Sequence, residues 1–455
     1  MRVLVVSDVH LGNGGSYDIY AGGDALPALI RREAGPDLHL LLNGDAVDFL
    51  LNDDPLSLEL DRVVRAAEAT ARHPETRAVL QAIGEFLALG GQATVRIGNH
   101  DVELAIPEVQ AALRAATGQP PEIAGRLRFE GGETPGILTV GGVRVLYTHG
   151  EHNDHWNRVG YSDLMDRSRW PKFRYPPGSE LVKNILNPLK RDYGMRFADL
   201  LKPDFHGAVM AGLAVDPSAA RVASPWVVAN LTARLMRQRL GPASFGVGDE
   251  DGEDGADVVG PLEDIADDAG LTDEEREAFV ALLSPGPFAY SIGGSEDSGT
   301  QKVLKAALRA YAGAHKSLSK GLAEAYFSLE PDAAEWREAQ RLAKKYEAEV
   351  VLIGHTHAAR FREDEGVVYA NTGTWIGLMR LPAAEASDAE WLEFLTRLKA
   401  NPGLDPSQGP AVPVITRFTG VELHDDPAGG VLVELVEWRG EERVVLQSAR
   451  VGARA

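Results

Sequence analysis

The sequence predicts an α/β protein whose core is split by a long helical insertion, and three observations point there. Short aliphatic runs ending in polar residues alternate with segments of helical apolar spacing up to about residue 147. The β signal then largely disappears between Trp156 and about Tyr346, and it returns at residues 349–353. Chemistry-bearing residues gather at the ends of predicted strands on both sides of that gap.

Residues 1–7 (MRVLVVS) and 38–43 (LHLLLN) read as buried strands, with a short helix at 24–34 between them. Helical spacing follows over 56–72 and 75–89; His73-Pro74 marks the break, and Gly90-Gly91 closes the second helix. Residues 94–97 form the next strand and 108–116 the next helix. Segments 126–129, 137–140 and 143–147 read as one strand group, with Gly141-Gly142 as a hairpin turn. Within the insertion, 180–189, 225–240, 272–283 and 299–326 carry helical patterns, and about 246–270 reads as a mobile acidic loop. Its Asp-x-Asp runs lack the spacing and terminal Glu of a calcium loop. Strand signals resume at 366–370 and continue over 412–451. The expected organisation is a split core, 1–155 and 347–455, around an insertion at 156–346.

The chain has 455 residues, 44% hydrophobic and 25% charged, a composition that fits a soluble globular protein. It contains no cysteine, which excludes disulfides, thiolate metal sites and a thiol nucleophile. Any metal must be held by His, Asp, Glu or Asn. The first residues read as a strand rather than a signal peptide, and no run approaches the roughly 18 apolar residues of a spanning helix. A cytoplasmic location is expected, with peripheral membrane contact left open and oligomeric state unread. A net charge of −21 argues against a generic polyanion binder. The acidity is uneven: residues 249–277 hold fourteen acids and one Arg, whereas 156–215 hold ten Lys or Arg against six acids.

Five segments carry the chemistry: Asp8-Val9-His10, Gly44-Asp45-Ala46-Val47-Asp48, Gly98-Asn99-His100-Asp101, His149-Gly150 and Gly354-His355-Thr356-His357. Each follows a predicted strand, and strand ends converge at one edge of an α/β sheet. This ordered set resembles the calcineurin-like metallophosphoesterase superfamily, whose pattern is DxH, GDxxD, GNH with a following acid, a lone His and GHxH. The resemblance implies a four-layer α/β/β/α sandwich with the insertion as a cap. It implies that Asp8, His10 and His357 hold one metal ion, that Asn99, His149 and His355 hold another, and that Asp45 bridges them. The ions would be divalent or trivalent, manganese first, with iron, zinc, cobalt or nickel as alternatives. It further implies hydrolysis by a metal-bridging hydroxide with no covalent intermediate. His100 would be the catalytic histidine, Asp101 would orient it or stabilise its charge, and Asp48 would support a liganding residue.

Beyond that pattern, Asp154, Asn153 and Arg158 are candidates for substrate contact or ligand support, as are His152 and His155 with a solvated loop as their alternative. Lys172, Arg174, Lys190 and Arg191 make the insertion locally basic. Asn371-Thr372-Gly373-Thr374-Trp375 resembles a segment of the branch containing UDP-2,3-diacylglucosamine pyrophosphohydrolases. That bacterial branch typically has Arg where His100 stands and a much shorter insertion. The expected partner is a phosphorylated small molecule, nucleotide or lipid-linked diphosphate. A nuclease of the same superfamily and a non-catalytic scaffold are the alternatives.

Overall fold

The computed structural model describes residues 1–201 without Ser16 and His155, a few positions between 211 and 222, and then 327–380, 382, 386–408 and 412–452. The expected helices at 225–240, 272–283 and 299–326 and the acidic loop at 246–270 lie outside the described residues. By internal contacts the chain forms two units. The first comprises Met1–Lys183, Ser328–Gly377 and Thr416–Ala455; the second comprises Asn184–Phe327 and Leu378–Ile415. These bounds differ from the expected 155 and 347, and a second excursion leaves the first unit after Gly377.

The strands in chain order are β1 (Arg2–Val6), β2 (Leu38–Asn43), β3 (Gln92–Arg96), β4 (Leu127–Glu130), β5 (Gly136–Val140), β6 (Val143–Tyr147), β7 (Val350–Ile353), β8 (Ala359–Asp364) and β9 (Val367–Thr372). After β10 (Leu378–Met379) and β11 (Val414–Ile415) of the second unit come β12 (Phe418–Asp425), β13 (Val431–Arg439) and β14 (Glu442–Val451). The first unit holds two sheets, ordered β14-β13-β12-β1-β2-β3-β4 and β5-β6-β7-β9-β8. Strands β1 to β4 are parallel, as are β6, β7 and β9. Contrary to expectation, β4 does not join the β5–β6 hairpin; it pairs with β3 in the other sheet.

Alternation along β1 explains the layering, since successive side chains point to opposite faces. Leu4 and Val6 pack with Leu40 and Leu42 against Leu26, Ile30, Val63, Ile83 and Val109, which come from α1 (Ala25–Glu33), α2 (Leu60–Arg72), α3 (Pro74–Ala88) and α4 (Pro107–Ala116). Val3, Val5 and Leu41 instead meet Val145, Val350, Leu352 and Val368 of the second sheet. The far face of that sheet, Leu146, Val351, Ile353 and Tyr369, is covered by Trp336, Ala339 and Leu342 of α5 (Ala333–Tyr346). The first unit is therefore an α/β/β/α sandwich. Each fully buried aliphatic side chain in it contributes on the order of 1.5–3 kcal/mol.

The covering by α5 also explains the earlier return of the first unit, because this helix belongs to the sandwich rather than to the insertion. Strand pairing places β6 and β7 side by side as parallel neighbours although the insertion separates them in the chain. In the second unit, the helix Asn187–Tyr193 and the 3₁₀ turn Arg196–Leu201 are joined by a buried Lys190–Asp199 ion pair. The same unit contains α6 (Asp388–Ala400), which is absent from the sequence expectations, as is β8.

Candidate metal centre

The loops after β1, β2, β3, β6 and β7 leave the carboxyl ends of their strands and bring the motif residues together. Asp8, His10 and His357 form one group, Asp45, His149 and His355 a second, and His10, Asp48 and His100 a third. Within each group the candidate ligand atoms lie within 4.8 Å of one another, and all eight residues are buried.

The backbone at these positions is unusual. Asp8, His10, Asp45, His355 and His357 all have positive φ, between 50° and 69°. A non-glycine residue held there stores on the order of 1–3 kcal/mol of strain, tolerated where surrounding structure enforces it. The enforcement is visible: Asp8 N donates to Gly44 O at 3.1 Å and His10 N to Asp45 O at 2.9 Å, so the first two loops hold each other. Gly44 (φ 92°) and Gly98 permit the close approach, since a Cβ at Gly44 would overlap the His149 ring and one at Gly98 the Asp45 carboxylate.

Hydrogen bonding sets the ring tautomers. His10 Nδ1 lies 2.8 Å from Asp48 Oδ2, and His149 Nδ1 lies 3.1 Å from the Asn43 carbonyl, so each donates from Nδ1. That arrangement turns the Nε2 lone pairs inward. His149 Nε2 then faces Asp45 Oδ2 at 3.2 Å and Asn99 Oδ1 at 3.3 Å, three electron-rich atoms converging. His10 Nε2 faces His357 Nε2 at 3.3 Å, and Asp8 Oδ1, which makes no hydrogen bond, lies 3.2 Å from that same His357 atom. Converging lone pairs in a buried place require a proton or a cation, and this nitrogen and oxygen set fits a borderline transition metal.

The electrostatics agree. Burial disfavours charge on His149, but Asp45 beside it overrides burial and lifts its pKa to about 10. Burial likewise works against ionised Asp8, yet His357 brings its pKa down to about 2. Asp45 is held well below the usual carboxylate range by His149 and His100 despite full burial.

The remaining expected residues divide. Asp48 Oδ2 meets His100 Nδ1 at 2.9 Å as well as His10, while its Oδ1 accepts from Leu50 N. The carboxylate hydrogen-bonded to the His100 ring is thus Asp48. Asp101 instead accepts backbone N–H groups from Gly98 and Ala46 at 2.6 and 2.8 Å, tying the β2 and β3 loops together. Asp154 Oδ2 lies 3.2 Å from His355 Nε2, which makes it a support for that ring. His152 faces Glu338 of α5 at 3.5 Å, and His155 lies outside the described residues. Asn153 is half-buried and Arg158 exposed. Arg174 caps the Pro171 and Phe173 carbonyls, Lys172 is exposed, Lys190 is neutralised by Asp199, and Arg191 pairs with Asp192.

Two further contributors lie outside the five motifs: the Asn371–Trp375 segment, which the sequence singled out by resemblance, and Asn157, which it did not. Thr374 Oγ1 and Trp375 N both donate to the Asp8 carbonyl, at 2.8 and 3.1 Å, and Asn371 Nδ2 donates to Gly354 O at 2.9 Å. The Asn371–Trp375 segment therefore braces the loops that carry Asp8 and His355, with fully buried Trp375 stacked on Phe418. Asn157 contacts both Asn99 and Asp154.

No curated protein matches the chain. The calcineurin-like phosphoesterase family model matches residues 1–197, a span that includes Asp8, His10, Asp45, Asn99, His100 and His149 and ends before His355. Family match over residues 1–197, strand-end convergence and a buried donor set suited to cations agree, and this part of the chain is similar to the calcineurin-like phosphoesterases, a family of metal-dependent hydrolases of phosphoric esters.

Proposed function

We propose that the chain is a dinuclear metallophosphoesterase acting on a phosphomonoester, phosphodiester or diphosphate carried by a small molecule, nucleotide or lipid. The observation that carries this reading is the position of Asp45 between two histidine groups. Its Oδ2 is 3.2 Å from His149 Nε2 and 4.0 Å from His10 Nε2. A shared carboxylate is what two dications roughly 3.5–4 Å apart require to offset their repulsion. In this reading Asp8, His10 and His357 hold one ion, and Asn99, His149 and His355 hold the other. Bound there, a pair of ions acidifies water and offsets charge on the phosphoryl oxygens, and manganese is the first candidate.

The chain's own residues do the rest. Asp48 fixes the His100 ring through Nδ1 and offsets the charge that ring carries when protonated. This makes Nε2 the proton-donating atom toward the leaving oxygen. His10, held by the same carboxylate, keeps its register with His100.

The test offers purified protein with Mn²⁺ an aryl phosphate, a bis-aryl phosphodiester, a nucleoside-diphosphate lipid analogue and single-stranded DNA. Turnover of a phosphoester is expected, lowered about a thousandfold or more by Asp45→Ala together with loss of bound metal. His100→Gln is expected to lower kcat by about 10²–10⁴ with metal content unchanged. Unchanged turnover in Asp45→Ala would sink the mechanism. Turnover of none of the substrates, with two ions bound, would leave the scaffold.

A further inference from the structure

Asn157 lies in the segment after His149, outside the motifs, yet its amide touches one proposed ligand, Asn99, and the support of another, Asp154. Asn99 Nδ2 donates to Asn157 Oδ1 at 3.3 Å, and Asn157 Nδ2 donates to Asp154 Oδ2 at 2.7 Å. Asp154 Oδ2 in turn meets His355 Nε2 at 3.2 Å. An asparagine side chain has one acceptor end and one donor end, so its orientation is set by its neighbours. With Nδ2 of Asn99 engaged by Asn157, the Asn99 oxygen is the end that points toward His149 Nε2. If the Asn99 amide turned over, it would present N–H groups to the place where a cation is expected.

We propose that Asn157 is a positioning residue that selects the oxygen-inward orientation of Asn99 and, through Asp154, steadies His355, so that it governs binding of the second ion and not the first. This rests on the ligand reading above. Asp154 is itself held in place for that role, since its Oδ1 accepts Trp156 N at 2.9 Å, and Asn157 N donates to the Asp154 carbonyl at 3.0 Å, closing a tight turn. Gly178 supplies an independent handle. It packs over this turn, its N–H donating to Trp156 O at 2.7 Å, and a Cβ there would overlap Asn157 Oδ1. The absence of a side chain at Gly178 is what admits the Asn157 amide. Gly178→Ala displaces that amide while leaving every proposed ligand and every polar side chain of the network in the sequence.

The experiment titrates Mn²⁺ alone into metal-stripped full-length wild type, Asn157→Leu, Gly178→Ala and Asp45→Ala, by calorimetry and by spin resonance of the bound ion, on samples whose cooperative thermal unfolding verifies folding. Wild type is expected to take two ions and show the spectrum of a coupled pair. Asn157→Leu and Gly178→Ala are both expected to keep one ion at wild-type affinity, bind the other roughly 10–100-fold more weakly, and show a single-ion spectrum at low loading. Two ions at unchanged affinity in both variants, with Asp45→Ala still impaired, would overturn the role of Asn157 and leave the ligand reading standing. Equal weakening of both ions would also overturn it, because Asn157 touches only one ligand group. Asp45→Ala binding as wild type does would instead remove the ligand reading and this inference with it.

Discussion

At the scale of single residues, the site is a set of buried charges whose partners decide their state, and Glu103 extends that pattern beyond the motifs. Its Oε1 accepts the Tyr175 hydroxyl at 3.0 Å, while Oε2 has no hydrogen-bond partner. Burial pushes its carboxyl up to about 7 from 4.5. A carboxyl whose folded pKa is raised binds more protons folded than unfolded between those values, so its contribution falls as pH rises from about 4.5 to about 7. Glu103→Gln should remove that loss and gain about 3 kcal/mol on wild type between pH 4.5 and 8, read by urea denaturation at both ends. A wild-type-to-variant difference that does not change with pH would rule the account out. The proposed ligands could be singled out because Asp, Asn and His at the polar end of an aliphatic run stand out one at a time. Asp48 as the partner of His100, and Asn157 as the partner of Asn99, were not. Each contact depends on how separate loops meet, which no local pattern encodes.

At the scale of elements, α5 illustrates both good local chemistry and a flaw. It opens on a capping box in which Asp332 accepts Ala334 and Glu335 N–H while Glu335 accepts the Asp332 N–H. It closes on Glu347 in the left-handed region, φ 52°, where glycine is favoured. Glu347 is exposed, so Glu347→Gly should relieve strain and stabilise by about 0.5–1 kcal/mol in chemical denaturation. Destabilisation would show that the Glu side chain makes a contact outweighing the strain. Strands with unbroken aliphatic runs, such as β1, β2 and β6, were legible to within a residue or so. The edge strand β8 gives little signal because ARFRED is mostly charged, with Phe361 its inward anchor. The helix α6 does carry a readable one: Ser387 and Glu390 form a capping box ahead of buried Trp391, Phe394 and Leu398.

At the scale of the molecule, the proposed ligands come from both sheets of the sandwich. Asp8, Asp45 and Asn99 follow strands of the seven-stranded sheet, and His149, His355 and His357 follow strands of the five-stranded one. Ions held by both would oppose separation of the sheets. Mn²⁺ at a hundredfold excess over its dissociation constant should therefore stabilise wild type by about 2.7 kcal/mol per ion. The thermal midpoint with Mn²⁺ and with a chelator reads this directly, and an equal shift in Asp45→Ala would refute it. The sandwich itself was foreseen through the motif resemblance, whereas the unit boundaries were not, because α5 carries the same helical period as the insertion. The pairing of β6 with β7 has a kinetic side as well. Their hydrogen bonds close a loop of roughly 200 residues, a chain entropy that grows only slowly with length but must be overcome before the contact returns anything. His149 stands where that loop departs and His355 where it comes back, so during refolding these two residues meet only once the loop has closed, and capture of an ion by both should follow that closure.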